Sequence, residues 1–311
     1  MKKLLTAVFL ITYAAISLSG QKAERPVISV ETSRLSMVMS VSETGELLFQ
    51  HFGGKINDPA PFLDLKTYRR SDLSTDNLAY SAYGGRNFRE TALLVKYPDG
   101  DMNTELVYVS HSSRRHSDKV TETTITLKDK KQAFEVDLMY TAYSKENVIT
   151  THTVIRNKGK KPVTLESYYS SSLPIKGRSY LLTHFYGAWA REMQTAHTLL
   201  TPGVKSIDSK KGVRTTHSEN PSFMVTFDSG TFNENHGEVL AGALAWSGNF
   251  KLNFEVDDHE VLNIVAGINP HAAAYALDKG QSFTTPEMIY TMSLIHNSEP
   301  TRLGMIPYPV F

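Results

Sequence analysis

The chain has 311 residues, 41% of them hydrophobic, and Lys+Arg 33 against Asp+Glu 32 leaves a formal charge of +1. That is enough apolar material for one large domain or two medium ones, and the scattered basic residues give no electrostatic footprint for nucleic acid. Cysteine is absent, which excludes disulfides, thiolate nucleophiles, Cys-ligated metals and a lipid-bearing cysteine.

At the start of the chain, Lys2 and Lys3 precede an apolar run over residues 4–18, and the small residues Ser19 and Gly20 follow. This is the pattern of a secretory signal peptide. A run of about 15 apolar residues is short for a bilayer span. The reading predicts a leader over residues 1–20, a secreted or periplasmic mature protein and no membrane partner.

The body reads as strands. Residues 120–127 (VTETTITL), 134–140 (FEVDLMY) and 250–256 (FKLNFEV) alternate apolar or β-branched residues with polar ones, the period of half-buried strands. Turn chemistry separates such runs at Pro98-Asp99-Gly100, Asn157-Lys158-Gly159, Asp228-Ser229-Gly230 and Ser247-Gly248-Asn249, where Gly, Asn and Asp tolerate the backbone angles of a reversal. Two hairpins are predicted, one joining residues 148–155 to 163–169 and one joining 237–246 to 250–256. No segment carries a convincing helical period. The fold class is therefore all-β, a large antiparallel β-sandwich over residues 21–292. Residues 57–83, with Pro59 and Pro61 and with Gly84 and Gly85 just beyond, read as the long loops on which binding usually resides.

Most of the candidate chemistry is weak. Asp99, Asp101, Asn103 and Glu105 alternate like calcium ligands, but Thr104 and Ser110 stand where such a loop needs Gly and Glu, so a plain hairpin turn is expected. Asp257-Asp258-His259-Glu260 looks like a metal cluster. On an extended chain adjacent side chains point to opposite faces, so a solvated turn is expected there instead. His111 and His116 fit no zinc spacing, and no nucleotide-loop, H-E-x-x-H or G-x-S-x-G motif is present. Glycoside hydrolysis needs two carboxylates in one site, and spacing along the sequence singles out no such pair. The 15 Tyr, 14 Phe and 2 Trp offer flat faces for sugar C–H surfaces or, equally, the filling of a sandwich core.

From residue 293 the text SLIHNSEPTRLGMIPYPVF loses alternation and carries Pro300, Pro307 and Pro309. It resembles the translation of a sequencing adapter, and residues 293–311 are expected to be a non-native tail.

Four segments, in order, carry a resemblance: residues 83–93 (YGGRNFRETAL), 182–192 (LTHFYGAWARE), 237–250 (GEVLAGALAWSGNF) and 267–287 (GINPHAAAYALDKGQSFTTPE). Together they resemble the N-terminal domain of glycoside hydrolase family 36 α-galactosidases across essentially the whole mature chain. Asn87 and Thr91 depart from the family's usual Asp and Pro. The resemblance implies a supersandwich of the galactose mutarotase-like type, followed in the family by a (β/α)8 barrel with an Asp nucleophile and an Asp acid/base. It therefore implies that this chain holds neither catalytic residue and is an inactive fragment of a retaining enzyme for terminal α-galactosides. It further implies a homo-oligomer when full-length, and no metal or organic cofactor. The family's loops that approach sugar point to the region of Asp72, to Arg89 as a hydroxyl ligand and to Trp246 as a stacking ring. Arg89 holding a loop, and Trp189 and Trp246 packing in the core, remain the alternatives, as does a free-standing carbohydrate-binding or oligomerisation module for the whole chain.

Overall fold

A computed structural model describes residues 25–63, 77–214, 218–227 and 237–295. Asp72, the expected leader, the turn at 228–230 and residues 296–311 lie outside the described residues. Among those described, regular structure is strand throughout, apart from one 3-10 turn at Ala60–Leu63. No helix among them is long and apolar enough to cross a membrane.

The strands in chain order are β1 (Val27–Glu31), β2 (Leu35–Val41), β3 (Leu47–Gly54), β4 (Leu93–Lys96), β5 (Leu106–Ser117), β6 (Val120–Asp129), β7 (Phe134–Tyr143), β8 (Val148–Asn157) and β9 (Val163–Lys176). They continue as β10 (Tyr180–Ala188), β11 (Arg191–Leu200), β12 (Gly203–Asp208), β13 (Glu219–Phe227), β14 (Gly237–Leu244), β15 (Phe250–Val256), β16 (Val261–Ile268), β17 (Tyr275–Leu277), β18 (Ser282–Thr284) and β19 (Met288–Ile295). β1, β2 and β3 form a small sheet. A ten-stranded sheet runs β11-β10-β13-β14-β19-β8-β7-β6-β5 with β18 beside β8, and a six-stranded sheet runs β12-β15-β16-β9-β17 with β4 beside β9. Every pairing between these strands is antiparallel.

The sequence explains the layers. In β15 the side chains of Phe250, Leu252, Phe254 and Val256 enter the common core, while Lys251, Asn253 and Glu255 take the other face, as a period of two dictates. Phe254 meets Phe223 of β13 edge to face at 4.8 Å between ring centroids, which joins the two large sheets. Phe52 of β3 meets Tyr290 of β19 at 6.4 Å, which seats the small sheet on the ten-stranded one. These form one core, the sandwich expected from the alternation.

The topology corrects both predicted hairpins. β8 lies in the ten-stranded sheet and β9 in the six-stranded one, and β14 and β15 divide the same way. Likewise the turn at Pro98–Gly100, closed by Gly100 N–H to the Tyr97 carbonyl at 2.9 Å, carries the chain from β4 to β5 across the sandwich. Turn residues specify a reversal but not a partner, and a reversal between sheets needs the same Gly and Asn as one within a sheet. β19 pairs with β14 through Ile295, so the ladder reaches three residues into the segment expected to be non-native.

Candidate functional site

The loop between Ala82 and β4 has two working faces. Its neck is closed by Ala92 N–H and Leu93 N–H to the Ser81 carbonyl at 2.9 and 3.1 Å, and by Tyr83 N–H to the Leu93 carbonyl at 2.9 Å. Inside the loop Gly84, Gly85 and Arg86 follow one another with φ of 105°, 56° and 70°. A Cβ on Gly84 would sit 1.9 Å from Asn103 Oδ1, so glycine is required there for both reasons. Arg86 has no such freedom, and its left-handed backbone costs about 1 kcal/mol.

The inner face of the loop packs on the polar side of β15. The Arg89 guanidinium lies 3.5 Å from the Asp257 carboxylate, with side-chain exposures of 7% and 6%. Next to it Glu90 N–H donates to Glu255 Oε2 at 2.6 Å, Asn253 Nδ2 donates to Glu90 Oε2 at 3.0 Å and Asn263 Nδ2 donates to the Glu90 carbonyl at 3.1 Å. Burial pushes the Glu255 carboxyl above its usual range, with repulsion from Glu90 adding to it. These two carboxylates are neighbours, but each accepts hydrogen bonds beneath the loop and neither lines the cleft on its outer side.

That cleft has a volume of about 630 Å³ and is walled by Tyr83, Phe88, Glu46, Glu105, Asn103 and Lys130, with Arg86 at the loop. Phe88 is 66% exposed and Tyr83 52%, although residues of this size usually shed that much contact with water. Glu105 accepts from Lys130 Nζ at 3.1 Å and from Asn103 Nδ2 at 3.4 Å, and the Lys130 hydrogen bond holds its carboxyl below the ordinary range. Glu46 accepts from the Thr44 and Ser42 hydroxyls at 2.9 and 3.3 Å. A retaining glycosidase needs one carboxylic acid that is protonated at work. Lys130 shifts Glu105 the opposite way, and the cleft sets aromatic rings beside carboxylates, an amide and cations, groups suited to binding.

Of the predicted site residues, Trp246 follows β14 and is 40% exposed. Its Nε1 donates to the Asn249 carbonyl at 3.1 Å, and its ring covers Gly248, where a Cβ would meet Nε1 at 2.6 Å. It therefore packs on its own turn and stays partly in water. Trp246 stands before β15 and Asp257, the partner of Arg89, stands just after it, so about 20 Å of strand separates the two sites. The structure does not bring Arg89 and Trp246 together. Trp189, the other candidate for packing, is 86% exposed at the tip of the β10–β11 hairpin, so it fills no core in this chain.

The two weak metal candidates are turns. Ligand atoms of Asp257, Asp258 and His259 do converge within 4.8 Å of one another, contrary to the extended-chain argument, because the segment reverses with Glu260 at a φ of 62°. Asp257 Oδ1 accepts from His259 N–H and Val261 N–H at 2.8 and 2.9 Å, which makes it the cap of that turn. Asp99 and Asp101 similarly accept from Asp101 N–H and Asn103 N–H at 3.1 and 3.0 Å.

Sequence reasoning missed the cleft, because its walls come from segments around residues 44–46, 83–88, 103–105 and 130. The one signal was the run Tyr83-Gly84-Gly85-Arg86 with Phe88 beyond it.

Residues 45–278 match the family model described as the glycosyl hydrolase family 36 N-terminal domain. The chain is 30% identical over 290 residues to the alpha-galactosidase AgaA of Geobacillus stearothermophilus, covering 85% of this chain and 39% of that protein. To the alpha-galactosidase Mel36A of Lactobacillus acidophilus it is 28% identical over 300 residues, covering 87% and 40%. It superimposes on the crystal structure of AgaA with a TM-score of 0.80 at 27% identity, over 87% of this chain and 41% of that one. A variant of AgaA crystallised in complex with raffinose gives 0.81 at 28%, with the same coverage. The chain thus spans about 40% of the length of the curated relatives it matches. With a matched model over most of its length and a fold to agree, this chain belongs to the glycosyl hydrolase family 36 N-terminal domain family.

Proposed function

We propose that this chain is the N-terminal part of a secreted or periplasmic α-galactosidase that releases terminal α-linked galactose with retention, and that it has no hydrolytic activity by itself. The observation that carries this reading is the match of 85% of this chain to 39% of an alpha-galactosidase. A second support is electrostatic: the hydrogen bond from Lys130 lowers the Glu105 carboxyl in the open cleft, the direction opposite to that of a general acid. In the proposed enzyme the nucleophile and the acid/base come from the remaining 60% or so of such a protein, the chemistry needs neither metal nor organic cofactor, and the assembled form is a homo-oligomer. The sandwich supplies a rigid platform, with Trp246 and the region of Asp72 contributing to galactoside binding and with Arg89 positioning its loop from below.

The test is turnover of an aryl α-galactoside by the purified chain. The expected result is none above the buffer rate, with activity appearing when a family 36 barrel is joined after residue 295. Turnover proportional to the concentration of the purified chain would overturn the reading. A free-standing carbohydrate-binding module is the second reading, favoured by the cleft beside Phe88.

A further inference from the structure

We propose that Asp99 is a site of spontaneous backbone modification, at which its carboxyl closes on the Gly100 nitrogen to a succinimide that reopens to isoaspartate. The sequence holds one Asp-Gly step and no Asn-Gly step, and glycine, without a Cβ, shields its own nitrogen least. The fold sets this step at a turn tip where Pro98, Asp99, Gly100 and Asp101 are all exposed. A Cβ built on Gly100 would meet nothing within 4 Å, so no other part of the chain crowds the turn on that side.

The turn also folds the carboxyl back. Asp99 Oδ1 accepts from Asp101 N–H at 3.1 Å, an Asx turn that lays the side chain over the peptide unit joining Asp99 to Gly100. Beneath it Tyr97 N–H donates to the Asp101 carbonyl at 2.8 Å and Gly100 N–H to the Tyr97 carbonyl at 2.9 Å. The second of these must open before the nitrogen reacts, and a turn hydrogen bond in contact with water opens locally without unfolding the sandwich.

The chemistry balances with water alone. The Gly100 nitrogen gives up its proton and bonds to Asp99 Cγ, and a carboxyl oxygen leaves as water. A water molecule then adds to one of the two ring carbonyls. Breaking the new Cγ–N bond restores aspartate, whereas breaking the original C–N bond leaves the chain running through Cγ, one carbon longer, with a free α-carboxylate. The open space beside Gly100 accommodates the added carbon. The cap on Asp101 N–H is lost with it, and Asp101 in turn holds Asn103 N–H at 3.0 Å, so the change reaches the residue that stands against Gly84.

Among the described residues, Asp99 and Asp208 are the aspartates followed by Gly or Ser, and the fold separates them. Asp208 pairs with Lys251 at the end of β12, accepts from Asn269 Nδ2 at 3.3 Å and meets Lys210. Ser209 is 3% exposed, with its N–H on the Phe250 carbonyl at 3.0 Å. That nitrogen is enclosed between strands, where opening costs far more than at a turn tip.

The modification is independent of any hydrolytic activity, and its test is chemical. The full chain is held for several weeks at neutral pH and body temperature and digested with trypsin. The peptide of residues 97–114 is then separated into isomers, with isoaspartate assigned by electron-transfer fragmentation and by resistance to an endoprotease that cuts before aspartate. Conversion at Asp99 is expected to be at least about tenfold faster than at Asp208, a barrier difference of about 1.4 kcal/mol. Asp99→Ser keeps an acceptor for Asp101 N–H but has no carboxyl to close, so its 97–114 peptide should stay a single species. Absence of isoaspartate at residue 99 overturns the proposal, whether or not a synthetic 97–114 peptide converts. Equal conversion at Asp99 and Asp208 overturns it too, because the turn would then select nothing. So does an isomer that persists in Asp99→Ser, which would place the reaction at Asp101.

Discussion

Arg89 and Asp257 face each other at 3.5 Å with side chains 7% and 6% exposed, and the pair fastens the loop that carries Phe88 to the end of β15. Removing one partner of an enclosed ion pair leaves the other charge without its counterion, which typically costs about 3 kcal/mol or more. We predict that Arg89→Met lowers the free energy of unfolding by that amount, read as a lower urea midpoint with the slope unchanged. A loss below about 1 kcal/mol would mean that water reaches the pair in solution.

Histidine burial gives the chain a pH signature. Burial holds the imidazoles of His152 and His184 below their usual range, the latter with repulsion from Lys205. The folded state therefore takes up fewer protons there than the unfolded chain, so stability falls as pH drops from about 7 through 6.5. Burial also raises the carboxyls of Glu219, 3.4 Å from His184 Nδ1, and of Glu255. Their contribution runs the other way: it is full in acid and is lost as pH rises through their raised values, so it flattens the decline at the acid end. His184→Gln should shrink the drop in urea midpoint between about pH 7.5 and 6. Parallel profiles for the wild type and the variant would exclude His184 as the source.

The residues that made the fold legible were those with a period. β15 occupies the same seven residues, Phe250–Val256, that the alternation predicts, because a strand half in a core leaves its pattern in a short window. The crossing from β8 to β9 was read as a hairpin, since Asn157-Lys158-Gly159 would turn the chain equally well inside one sheet. Glu46, Glu105 and Lys130 lie far apart in sequence and meet only through the sheet order, so no local pattern announces their cleft. Arg89 came from the resemblance alone. Its burial depends on Asp257, 168 residues further along the sequence, and that distance carries no local signal.

Two edges of the ten-stranded sheet differ in how they meet water. β5 ends it with Arg114 and Arg115, charges of the kind that protect an open edge. β11 ends the other side, and its hairpin exposes Tyr186, Trp189, Met193 and Leu199. An unpaired edge with an apolar face invites self-association. We predict that the chain associates as concentration rises, and that Trp189→Ser with Met193→Lys keeps it dispersed while changing stability by less than about 0.5 kcal/mol. Light scattering decides it: a wild type that stays monomeric at high concentration removes the edge from consideration.

The contact that joins the large sheets depends on a missing side chain. Gly242 of β14 lies beneath Phe223, and a Cβ there would meet two ring carbons of Phe223 at 2.5 Å and the Met288 methyl at 2.7 Å. The Met288 methyl can swing aside, but Phe223 is held edge to face against Phe254 at 4.8 Å and cannot move without opening that contact. Gly242→Ala should therefore cost about 2 kcal/mol by overpacking, although alanine is no worse than glycine for a strand. Phe223→Leu alone should cost a similar amount by leaving a void. Combined, the two should be less damaging than their sum by about 1 kcal/mol, because the smaller side chain makes room for the new methyl. Strict additivity in a urea double-mutant cycle would show that the strain lies in the backbone of β14, and the closeness of Phe223 would then not be what requires glycine at 242.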